Sequence, residues 1–126
     1  MVSRTRRPKF LNLLQISLPI TGVVSIAHRI SGVVLVFAIP LMIYALQLSL
    51  ASRQSFEQLA QVLDAPAGKV VFVLVVWALM YHLVAGLRFL LLDVHIGINL
   101  AAARRNAWLV IAISLSATGF VAGVCL

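Results

Sequence analysis

Acidic residues number three in a chain of 126, cysteine occurs once, and charged residues of both signs make up only 10%. Each scarcity excludes something. The lone Cys125 cannot close a disulfide, so this is no secreted disulfide scaffold. Nor can one thiol hold an iron–sulfur cluster, which needs about four cysteine ligands. The seven glycines never fall into a phosphate-binding spacing, which removes the Gly-rich nucleotide loop. Soluble domains carry about a quarter charged residues. Here 63% of residues are hydrophobic and the mean hydropathy is +1.10. A single small domain of this composition has almost nothing polar to present to water. The length allows one domain, residues 1–126, and its solvent is a bilayer.

What the chain does have is long apolar runs. Charges cut it into three uncharged stretches: Ile30–Ser52 with 23 residues, Val70–Leu87 with 18 and interrupted only by His82, and Asn106–Leu126 with 21. Each is close to the ~20 residues that a helix needs to cross about 30 Å of hydrocarbon. The expected fold class is all-α: an integral membrane protein with three transmembrane helices, over about 20–51, 68–94 and 105–126. A basic start with Arg4, Arg6, Arg7 and Lys9 fits a signal-peptide n-region. The apolar run that follows begins late, exceeds the roughly 7–15 residues of an h-region and lacks a clear cleavage site. It reads as an uncleaved first helix.

Lysine and arginine set the expected orientation. The N-terminal segment, 1–18, holds four of them with Arg29 at the helix edge, and the second loop holds Arg88, Arg104 and Arg105. The first loop has Arg53 and Lys69, offset by Glu57 and Asp64. The N-terminus is therefore expected in the cytoplasm and the C-terminus outside. Within the first loop, about 54–64, Phe56, Leu59, Ala60 and Leu63 repeat as the apolar stripe of a short external amphipathic helix. Ser55 is its expected cap, with Pro66 and Gly68 closing it. A net charge of +7 also suits nucleic acid. Its placement at helix ends facing one leaflet favours topology signals and contact with anionic membrane lipid instead, with no nucleic acid.

Polar residues at membrane depth are costly, and each is a functional candidate. Thr21, Ser25 and Arg29 recur every four residues on one face of the first helix, with His28 beside them. Gly22 and Gly32 leave room for a close approach. The alternative is that Arg29 snorkels to headgroups and Ser25 bonds back to its own helix. His82 lies six residues from Arg88, about 9 Å inside the second helix, among Ala78, Ala85 and Gly86. Small neighbours leave space for a flat macrocycle, while a proton relay and a satisfied packing histidine are the other readings. Asp93 returns to the His82 face three turns on, as a site residue or an interfacial ion-pair partner. His95 and Gly97 read as a helix end. Trp77, Tyr81 and Trp108 fit contacts with lipid or neighbouring helices, Gly119 and Gly123 form a packing face, and Cys125 is apolar filler.

These residues resemble a known family. Pro19-Ile20-Thr21, Ser25-Ile26, His28-Arg29 and Ser31-Gly32 are similar to the P-I-T-x-x-x-S-I-x-H-R-x-[ST]-G signature of the succinate dehydrogenase cytochrome b556 subunits. His82, Gly86 and Arg88 through Asp93 resemble that family's H-x-x-x-G-x-R-…-D motif, and Arg7-Pro8, Asn12 and Leu14-Gln15 its N-terminal segment. The resemblance implies a membrane anchor of respiratory complex II, packed in a helical bundle with a second three-helix anchor subunit. It also implies one haem b shared between them and a ubiquinone site beside the iron–sulfur subunit, which a flavoprotein subunit feeds. Carried over by position, His82 matches the axial haem ligand. His28 and Arg29 match groups near the propionates, and Ser25, Arg29 and Asp93 match quinone-site residues. Some relatives have a second histidine after the motif arginine; here it is Phe89. On this reading the chain sits in a bacterial inner membrane, as the compact start suggests, and catalyses nothing alone. The alternatives are an anchor of a fumarate reductase or another dehydrogenase, a small proton-conducting or transport subunit, and a structural anchor without cofactor.

Overall fold

A computed structural model describes residues 17–126. They form four helices, with no strand among the described residues: α1 (Ile20–Ala51), α2 (Arg53–Asp64), α3 (Pro66–Asp93) and α4 (Leu100–Cys125). The basic residues Arg4 to Lys9 and the Arg7–Gln15 motif lie outside the described residues. α1, α3 and α4 are each long and apolar enough to cross a membrane, so the chain is all-α as expected. At 32, 28 and 26 residues, they run about 48, 42 and 39 Å at 1.5 Å per residue. All exceed the hydrocarbon thickness, so their ends project from it or the helices tilt.

The caps explain where the helices stop. α2 opens on Ser52, whose Oγ accepts the Ser55 N–H at 3.0 Å. Ser55 is therefore the residue capped, not the cap. Pro66 ends α2 and begins α3 at once, because its missing N–H is harmless in a first turn. α3 closes in paired bonds from Ile96 N to Leu91 O, 2.9 Å, and His95 N to Leu92 O, 3.0 Å. His95 takes the left-handed conformation there, φ 63°, which is how many helices terminate. α4 starts at Leu100, ahead of its uncharged run, because Asn99 Oδ1 accepts the Ala102 N–H at 2.7 Å.

The interior is the reverse of a soluble core. Buried positions are Val24, Ser31 and Ala38 on α1, Ala78, Tyr81, Ala85 and Arg88 on α3, and Ala107, Val110, Ser114 and Thr118 on α4. Most are small or polar, while Phe37, Leu46, Leu90, Trp108 and Phe120 point outward. Lipid is as apolar as leucine, so helices gain little by hiding large apolar groups. They gain by approaching closely and by pairing polar ones. Ser114 and Thr118 satisfy their hydroxyls on their own helix, on Ile111 O at 3.0 Å and Ser114 O at 2.7 Å. Tyr81 is inside the bundle, its hydroxyl donating to Val24 O on α1 at 3.4 Å. Ala78 and Ala85 are spent on this packing, so the small residues around His82 do not form one open groove as expected.

Candidate functional site

α1 and α3 run antiparallel, which sets Gly32 opposite His82 and His28 opposite Gly86. Gly32 is what lets the histidine in. A Cβ at that position would stand 3.1 Å from His82 Cε1 and 3.5 Å from Nδ1, so the imidazole lies directly against the α1 backbone. There its Nδ1 meets two oxygens, the His28 carbonyl and Ser31 Oγ, each at 3.2 Å. A carbonyl only accepts, so Nδ1 carries the hydrogen. Ser31 in turn donates its hydroxyl to the same carbonyl at 2.8 Å. With Nδ1–H held there, the lone pair of the imidazole falls on Nε2, which has no hydrogen-bond partner among the described residues.

The His28 ring stacks on His82, centroids 4.1 Å apart and 15° from parallel. Phe89 closes the other side of His28 edge-on, at 5.2 Å. Phe89 is thus a wall of this site. Arg88 lies a turn and a half beyond His82 and is only 6% exposed, with Nε unpartnered. The nearest aromatic face to it is Phe89, with 5.4 Å from Cζ to the ring centroid. No carboxylate answers its charge among the described residues. Glu57 and Asp64 pair with Arg53 and Lys69, and residues 1–16 contain no acid.

Of the candidate site residues named from sequence, the fold brings His28 and His82 together, with Gly32 and Gly86 against them, and leaves Ser25, Arg29 and Asp93 apart. Ser25 is half-buried, while Arg29 and Asp93 are exposed. No hydrogen bond or ion pair joins these three among the described residues. Asp93 sits in the last turn of α3, where no basic residue offsets it and the helix dipole disfavours an anion. His95 is occupied in ending α3. Ser31 and Arg88 are the residues that sequence reading passed over. Ser31 was one residue among several in a motif, and Arg88 a loop charge. Their signal was spacing: Ser31 is one turn past His28, and Arg88 two turns past Tyr81.

This donor set suits one kind of prosthetic group. Among the described residues no three His, Cys, Asp or Glu side chains gather into a metal-binding cluster. What the chain offers is two stacked imidazoles, of which His82 has Nδ1 held and Nε2 without a partner among the described residues, as a haem-ligating histidine would need. A porphyrin brings its own four equatorial nitrogens, so haem needs no more than this from one chain.

Residues 3–121 match the family model of the succinate dehydrogenase/fumarate reductase transmembrane subunit. The chain belongs to this family. It is 36% identical over 113 residues to the succinate dehydrogenase cytochrome b556 subunit of Coxiella burnetii, covering 89% of this chain and 90% of that one. Identity to the subunit of the same name from Paracoccus denitrificans is 33% over 111 residues, covering 88% and 85%. For that of Rickettsia felis it is 32% over 113 residues, covering 90% and 88%. Family and spans together make this transmembrane subunit a multi-pass protein of the bacterial inner membrane.

Proposed function

We propose that this subunit is the cytochrome b anchor of succinate dehydrogenase, with His82 as one axial ligand of haem b and a second three-helix anchor subunit supplying the other. The observation that carries this reading is the held Nδ1 and free Nε2 of His82, in a family whose relatives bear the name cytochrome b556. When bound, haem b takes up and passes on one electron. The chain's part is to bind and orient. His82 would present Nε2, and His28 and Arg29 would be the groups that neutralise or hydrogen-bond the propionates. Gly32 keeps α1 and α3 close around the ring.

Quinone reduction takes two electrons and two protons. With the N-terminus cytoplasmic, Ser25 and Arg29 lie in the leaflet where an iron–sulfur subunit, fed by the flavoprotein, delivers electrons. The Ser25 hydroxyl and the Arg29 guanidinium can donate to a ubiquinone carbonyl oxygen as negative charge grows on it. Asp93, exposed at the same end, can pass protons from water.

The test is optical. In the purified complex, His82→Ala is expected to abolish the low-spin b-type spectrum or leave a haem in altered ligation, while His95→Ala leaves it intact. An unchanged spectrum and midpoint potential in His82→Ala would remove His82 from the site.

A further inference from the structure

We propose that Ser31 is the residue that sets the electron-donating strength and ring orientation of His82. The inference rests on the haem reading above and goes beyond it, to a residue that touches only the ligand. Three observations carry it. Ser31 is fully buried, although a hydroxyl is costly at membrane depth. Its Oγ stands 3.2 Å from His82 Nδ1 across two helices. It also donates to His28 O at 2.8 Å, so its hydrogen is committed and its lone pairs are turned to Nδ1.

The carbonyl cannot do this work alone. His28 O already serves the α1 ladder, accepting the Gly32 N–H four residues on, and it takes the Ser31 hydroxyl as well. With two lone pairs, it has little left for a third donor at 3.2 Å. The Ser31 oxygen is the acceptor with capacity. It also relays: accepting from Nδ1–H draws density out of the hydroxyl and strengthens the hydrogen bond that the hydroxyl donates onward. A hydrogen bond at Nδ1 raises the basicity of the distal nitrogen of a ligating imidazole, which favours the ferric state. It also pins the ring against rotation about Cβ–Cγ, with Gly32 fixing its depth. Ser31 is thus a positioning residue, acting through His82 and touching no substrate.

The experiment uses the intact, membrane-extracted complex with haem bound, carrying Ser31→Ala, Ser31→Thr, Ser31→Cys or His82→Ala. The readouts are the midpoint potential and the low-field g value of the ferric haem, neither of which depends on turnover. Ser31→Ala is expected to keep the haem, shift the potential positive and move the g value. Ser31→Thr, whose hydroxyl can bond the same carbonyl within a helix, returns both toward the parent. Should Ser31→Ala fail to assemble, Ser31→Cys decides. It preserves the volume but offers a weak sulfur acceptor, and the same positive shift is expected. An unchanged or negative potential in haem-bound Ser31→Ala or Ser31→Cys would overturn the inference. His82→Ala separates the two levels. If it keeps the parent spectrum, the haem reading itself fails; if it loses the spectrum while the Ser31 variants are silent, only the role of Ser31 fails.

Discussion

The two ends of the bundle treat polar groups in opposite ways. Around α2, charge is spent locally and in the open. Arg53 pairs with Glu57 one turn on at 3.0 Å, and Lys69 reaches back to Asp64 at 2.9 Å, with Arg53 and Asp64 almost fully exposed. At the end where α1 begins and α3 finishes, Arg29 and Asp93 are exposed, but other polar groups face inward and pair between helices, as His82 does with Ser31 and His28, and Tyr81 with Val24 O. Arg88 is buried there with no acid to meet it. The first arrangement could be lost at little cost to anything but solubility. The second stores unfavourable desolvation that only a bound group or a specific geometry offsets. Function belongs where the expense is.

Substitutions can break that contrast, and the largest effect is expected at the closest approach. Gly32→Val places branched carbons where even a Cβ lies 3.1 Å from the His82 ring. The ring or the helix must move, as overpacked cores show. Haem content per purified complex is expected to fall by about tenfold or more, in the range that loss of ligand support usually costs. Parent haem content in Gly32→Val would mean that His82 does not need its seat on α1.

Arg29→Leu is next. It removes a cation able to serve both a propionate and the quinone oxygen, and charge-assisted bonds are the strong ones. Ubiquinone reduction is expected to drop well below dye reduction measured upstream of the quinone. Arg29→Lys should restore only part, since a point charge does not replace a planar fork. Equal loss of both activities would point to failed assembly instead. Ser25→Ala should cost about 1 kcal/mol of quinone interaction, the worth of one neutral hydrogen bond, read as a several-fold higher apparent KM. An unchanged KM would take Ser25 out of the quinone site.

The smallest effect belongs at the other end. The Lys69 ammonium, hydrogen-bonded to Asp64 and adding its charge, holds that carboxyl below the ordinary carboxylate range. A lowered folded pKa means that the pair contributes above the ordinary carboxylate pKa. The contribution fades only as pH falls through the lowered value. Because the group is fully solvated, Asp64→Asn is expected to leave the melting temperature of the detergent-solubilised complex nearly unchanged at neutral pH. A large drop there would mean that the α2 end carries stability after all, and the contrast between the ends would collapse.

Much of this was legible beforehand, and the misses follow a rule. Uncharged run length announced three membrane helices, since crossing about 30 Å of hydrocarbon demands some twenty residues whatever the neighbours. A histidine inside such a run announced itself by cost alone, and so did the end of α3, through Gly97 behind His95. Which side of each helix faces inward was not announced. In water the apolar stripe reveals the buried face; in lipid both faces are apolar, and the stripe disappears. Ala78 and Ala85 promise room beside His82, yet both are fully buried, and Ala85 packs among residues of α1 and α4. Ser52 caps α2 in place of Ser55 because a cap is chosen by backbone angle at the chain reversal. Sequence by itself determined the spans, the family motifs and the deep imidazole. Tertiary structure alone decided that Ser31 and the His28 carbonyl grip Nδ1, that Phe89 walls His28, and that Arg88 turns inward. Those are distances between helices, and two helices fix them only by how closely their small residues let them approach.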